Sequence, residues 1–260
     1  MEALDAIALG LLAGLFLLGT YRFIRTGVML YADVPLSFYF LAALVIMGVY
    51  DSAERNSLGL LALAGFAAAC AAWTKNEGLL FLLCVLASRP VVCWMNNRSR
   101  DIFREIPSCL VGAAPVLMVI VIFKFTISME NDLVKGQSRD TIWLRLFDAS
   151  RVVLIIRGFL VELWQMGTIS LFVAGLSLIF LGSSPTRPRR TITGLVSVLL
   201  LMLAGYFLAY LSTPYNLAIY INHSMDRVLI QLLPSVLLLL FLYLDDPVAE
   251  SLRRGQRGPY

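Results

Sequence analysis

Two carboxylates, two cations and a single histidine stand out as the residues able to do chemistry. Asp33 lies in Tyr31-Ala32-Asp33-Val34-Pro35, and Lys75 with Glu77 in Thr74-Lys75-Asn76-Glu77-Gly78. His223 and Arg227 close a stretch running from Thr213-Pro214-Tyr215-Asn216 to Asn222-His223-Ser224-Met225-Asp226-Arg227. Carboxylates can take or orient protons, and lysine and arginine can hold an anion. Metal dependence stays open. Asp33 and Glu77 are oxygen ligands suited to a divalent cation, but two carboxylates do not define a site, and a lone histidine adds little. No cofactor is otherwise indicated. Cys70, Cys84, Cys93 and Cys109 lack C-x-x-C spacing and sit in apolar runs, where they read as small filler.

Each cluster also has a local explanation. Asp33, just before Pro35, could cap a helix. Lys75 ending one helix and Glu77 starting the next would suit two helix dipoles. Arg227 could snorkel from the start of a span.

The elements that must position these residues are membrane helices. Of the 260 residues, 59% are hydrophobic and 15% charged, with a mean hydropathy of +0.81. A soluble domain carries about 25% charged residues. Eight apolar runs approach the length of roughly 20 residues that a span needs: 6–20, 35–50, 57–74, 78–95, 106–123, 167–182, 192–211 and 228–244. They are continuous rather than alternating, which selects helices over a closed barrel. The expected fold is an all-α polytopic transmembrane bundle of about eight spans, forming one domain over 1–260. The first run lacks a basic leader and is read as a retained helix. Gly10 and Gly14 make one G-x-x-x-G, a close-packing signal.

Alternate crossings assign the connections to two faces. One receives Arg55, Arg89, Arg98, Arg100, Arg104, Arg187, Arg189, Arg190, Arg253, Arg254 and Arg257. The short segments of the other hold only Arg22, Arg25, Lys75 and Arg227. The positive-inside rule makes the first face cytoplasmic. The basic residues are spread over loops rather than gathered in a patch, which argues against nucleic acid as a partner. Every polar cluster that is not simply arginine-rich falls on the second, exoplasmic face. That suggests a site at the membrane surface, where a lipid-linked headgroup meets a water-borne partner. The long connection 128–166 lies on the same face. It opens polar and turns amphipathic, and Arg157 and Glu162 make a span there costly. A helix lying in the interface, with Trp143 and Trp164 near headgroup depth, is expected.

The segments YADVPLSFYFLAAL, AAWTKNEGLLFLL and NHSMDRVLIQLLP resemble membrane glycosyltransferases of the GT-C fold. More narrowly, they resemble family 39, the dolichyl-phosphate-mannose protein mannosyltransferase-like enzymes, and bacterial members related to the aminoarabinose transferases. YAD-x-P followed about forty residues on by TKNEG, with a late DR-x-x-x-Q-x-x-P, carries the likeness. The resemblance implies sugar transfer from a polyprenyl-phosphate donor to a glycan, lipid or protein acceptor, at the periplasmic side of a bacterial inner membrane. It implies donor-phosphate contacts for Lys75 and Arg227. For Asp33 it implies a catalytic position that holds the acceptor, orients a cation or supports the base, with Glu77 and His223 in support. Family members carry a further acidic motif in an earlier exoplasmic loop, which has no counterpart before Tyr31. The chain is therefore expected to correspond to the later part of such an enzyme, with its first helices short of packing partners. Two other readings stand beside this one: a transporter, which would place polar groups deep in the spans, and a structural subunit for a lipid-linked substrate.

Overall fold

The computed structural model describes residues 2–53, 57–126, 144–181 and 189–243. Among the described residues the fold is entirely helical, with no strand. The helices are α1 (Glu2–Gly19), α2 (Tyr21–Val28), α3 (Asp33–Ser52), α4 (Leu58–Thr74), α5 (Asn76–Met95), α6 (Ile102–Thr126), α7 (Ala149–Leu181), α8 (Arg189–Ser212) and α9 (Leu217–Tyr243). Five of them, α3, α5, α6, α8 and α9, are long and apolar enough to cross a membrane. A sixth span results if α1 and α2, bent by 73° at Thr20, are taken as one broken span. Helix α4 is apolar but shorter, 17 residues or about 26 Å.

Small residues decide where these helices meet. In lipid there is little hydrophobic drive between helices, so close backbone approach and dispersion do the packing. A Cβ on Gly65 of α4 would lie 2.0 Å from the Cys109 carbonyl oxygen, and one on Gly112 of α6 would lie 1.7 Å from that of Ala62. Helices α4 and α6 therefore touch backbone to backbone. A methyl group at Gly10 or Gly14, by contrast, would meet nothing within 4 Å, so among the described residues the G-x-x-x-G pair marks no close approach. The core runs between α3, α4, α5, α8 and α9, around Phe40, Phe81, Val85, Leu195, Met202 and Met225. The Phe40 and Phe81 rings stack at 4.0 Å. Of the free cysteines, Cys84, Cys93 and Cys109 are buried and Cys70 partly so, which suits apolar filler.

Two boundaries differ from the sequence reading. Helix α9 begins at Leu217, eleven residues before the run at 228–244, because Asn216 accepts from the Ala218 backbone N–H at 3.1 Å and caps it. The amphipathic stretch after residue 148 and the apolar run after 166 form one continuous 33-residue helix, α7, not two elements. Asp148 starts it by accepting from Ser150, a contact that holds its carboxyl below the usual range. The early part of α7 packs on the added turns of α9, where Gly158 fits against Ile221 and Met225. Glu162 takes an ion pair from Arg22 on α2. The polar opening of the long connection, 128–143 including Trp143, lies outside the described residues, as do Arg55, Arg187, Arg253, Arg254 and Arg257.

Candidate functional site

Lys75 is the single residue between α4 and α5, in extended conformation with φ −161° and ψ 159°. The turn can be this tight because Gly78 has no side chain: a Cβ there would lie 1.9 Å from the Ala71 carbonyl oxygen. The glycine of TKNEG thus lets α5 fold back on α4 and point Lys75 across the bundle. Its ammonium donates to Asp33 Oδ1 at 2.9 Å. From the other side Arg227, on α9, donates to Asp33 Oδ2 through Nε at 2.8 Å and Nη2 at 2.8 Å. Gln231, one turn further along α9, donates from Nε2 to Asp33 Oδ1 at 2.6 Å, and its Oε1 accepts from the Tyr206 hydroxyl at 2.6 Å. The three clusters read from sequence therefore meet at one point.

The contacts decide what each residue can do. Asp33 is 0% exposed and carries four charge-assisted or amide bonds across its two oxygens. It does not cap α3, whose N-cap is Ala32 with no side-chain hydrogen bond. Its partners are the two cations and the Gln231 amide. The cations are reachable: the Lys75 side chain is 27% exposed and that of Arg227 30%. Glu77 accepts from the same Lys75 ammonium at 2.8 Å and is 26% exposed. The Tyr31 ring centroid lies 4.2 Å from Arg227 Cζ and covers one face of the guanidinium. No side chain caps the N-terminus of α5, so the positive end of that helix adds to the cationic character of this mouth.

His223 is not brought in. It is exposed on α9, and its Nδ1 lies 2.8 Å from the Ile219 carbonyl oxygen one turn back. Among the described residues no group of three or more His, Cys, Asp or Glu comes together to hold a metal ion.

Sequence reasoning gave Gln231 and Tyr206 no role. Gln231 was visible as the residue four after Arg227, on the same helix face. Tyr206 is one hydroxyl in an apolar run, which calls for a partner when buried. A larger omission lies at the opposite end. Arg89 and Arg190, counted as loop charges, are both buried. Arg89 forks onto Asp51 at 2.8 and 3.0 Å and onto Glu105 at 2.7 and 2.8 Å. Arg190 reaches Asp51 at 2.9 Å and also pairs with Glu105. Both guanidiniums approach the Tyr50 ring, and the Tyr50 hydroxyl donates to Glu105 at 3.1 Å. An arginine inside the run 78–95 was the available signal. An apolar groove of about 130 Å³ between α3, α8 and α9, lined by Leu44, Gly48, Thr191 and Leu195, also lies away from the Asp33 cluster.

No family model matches the chain, and neither the curated proteins nor the solved structures contain a match.

Proposed function

We propose that the chain is a membrane glycosyltransferase of GT-C type that moves a sugar from a polyprenyl-phosphate donor to an exoplasmic acceptor. The observation that carries this reading is the junction at Asp33, where a sealed carboxylate holds two partly exposed cations from distant helices side by side. As the acceptor oxygen bonds to the anomeric carbon, the bond to the phosphate oxygen breaks and negative charge builds on the lipid phosphate. Cations fixed beforehand stabilise that charge without reorganising. Lys75 and Arg227 take this role, and Asp33, backed by Gln231 and Tyr206, fixes them. The acceptor proton passes to a carboxylate or water outside the Asp33 junction, since Asp33 itself is fully bonded.

In this reading the chain is polytopic, with the eight spans read from sequence and α2 and the start of α7 at the interface. The Asp33 end faces the periplasm of a bacterial inner membrane, and the Arg89 end, with its arginine-rich connections, faces the cytoplasm. The transporter alternative draws no support from the buried arginines. Asp51, Glu105 and Arg190 sit within about one turn of their helix ends, Arg89 sits nearly two turns before the end of α5, and the four charges balance.

The test is transfer from radiolabelled polyprenyl-phosphate sugars in proteoliposomes. Wild type should transfer, and Lys75→Ala and Arg227→Ala should each lose about 10²–10³-fold, as removal of a preorganised charge-stabilising donor does. Folded wild type that transfers from none of the donors would count against the reading.

A further inference from the structure

Lys75 holds two carboxylates, and it holds them unequally. Asp33 is fully buried and has three further bonds, from Gln231 Nε2 and from Nε and Nη2 of Arg227. Breaking a buried, multiply bonded pair is costly. Glu77 is 26% exposed and pairs with Lys75 at 2.8 Å. A partly exposed pair with a single contact of that kind contributes less and is more readily exchanged. An anion arriving at Lys75 therefore competes with Glu77 and leaves Asp33 in place.

We propose that the position of Glu77 Oε1 marks the seat of the ligand's anionic oxygen: Glu77 is a placeholder that a phosphate-class anion displaces from Lys75. This rests on the reading above that the mouth receives a phosphate. Four features favour the seat. The Lys75 ammonium is anchored by Asp33 and stays behind when Glu77 leaves. The seat lies at the first turn of α5, where no side-chain cap competes for the backbone N–H groups. Arg227 uses Nε and Nη2 on Asp33 and is covered by Tyr31 on one face, so an anion approaches it along the remaining edge. With Glu77 in place the two cations and two carboxylates cancel, and moving it aside gives the seat a net attraction for an anion.

The experiment uses the full chain in lipid nanodiscs, titrated with inorganic phosphate and, separately, with a polyprenyl monophosphate, followed by binding and by difference infrared spectroscopy. Wild type should show a carboxylate band change on binding that is missing in Glu77→Gln. Glu77→Gln should bind about fivefold more tightly, the factor expected when an exposed ion pair no longer competes. Glu77→Asp keeps the charge but shortens the arm, and its affinity should fall between the two. Preference for the polyprenyl probe identifies a lipid headgroup as the source of the anion, equal affinity identifies free phosphate, and both support the seat. Tight binding with no Glu77 band change, or Glu77→Asp binding no better than wild type, overturns the placeholder and leaves the phosphate reading standing. No binding of either probe by folded wild type overturns both.

Discussion

Both ends of the helical bundle gather two cations and two carboxylates, yet the two gatherings differ in what water and lipid can reach. At one end Asp51, Arg89, Glu105 and Arg190 are all buried and bond to one another from four helices, α3, α5, α6 and α8. At the other, Asp33 alone is sealed, while Lys75, Glu77 and Arg227 each keep about a quarter to a third of their side chains exposed. In the sealed, charge-balanced quartet every charge is paired with an opposite charge of the set. It fixes which helices lie together. The open cluster has one buried anchor and three groups with capacity to spare. The difference teaches that buried charge in a membrane helix is open to a ligand only when some of its bonding faces outward.

The comparison can be broken most decisively at Arg89. Arg89→Ala leaves Asp51 and Glu105 buried with a single cation between them and should cost about 3–5 kcal/mol, read as loss of thermal stability in nanodiscs. Replacing the whole quartet by apolar residues (Asp51→Leu, Arg89→Met, Glu105→Leu, Arg190→Met) should restore most of that loss, because a well-packed apolar set often equals a buried ion network. A quartet variant that folds but no longer binds phosphate would erase the distinction between the two ends.

Next in size is Asp33→Asn. It should lower stability by about 2–3 kcal/mol, since Lys75 and Arg227 can turn to water once their charged partner is gone. Phosphate binding should fall far more than that change in stability accounts for. Equal losses in both measurements would make Asp33 a purely structural anchor like Asp51. Tyr206→Phe removes one hydroxyl from Gln231 and should cost about 1 kcal/mol, with a small weakening of phosphate binding as Asp33 loosens. The smallest effect belongs to His223→Ala, which should stay within about 0.5 kcal/mol of wild type and leave binding unchanged. A large loss there would extend the open cluster along α9.

Much of the open cluster was legible in the residues. Asp33, Lys75 and Arg227 each interrupt the edge of an apolar run, where a charge has few partners, so drawing the runs as helices puts all three on one face. The lone histidine was misleading, because residue type suggests chemistry whether or not the side chain points at anything. The quartet was hidden for a related reason. Arg89 and Arg190 look like the cytoplasmic arginines of any membrane protein, and only the depth at which α5 and α8 set them reveals that they face Asp51 and Glu105. The long helix α7 was hidden as well, since Arg157 and Glu162 read as costly in lipid until Glu162 is seen answering Arg22.

Sequence alone determined that this chain is helical and apolar enough to live in a membrane, because composition and run length depend on no particular packing. It also placed Asp33, Lys75 and Arg227 at the edges of apolar runs. Tertiary structure decided which of those charges meet. Pairing across 42 residues for Lys75 with Asp33, and 194 for Arg227 with Asp33, depends on how glycine and alanine let the helices approach. That approach fixes which carboxylate is sealed and which cation stays open, and no local pattern in the chain records it.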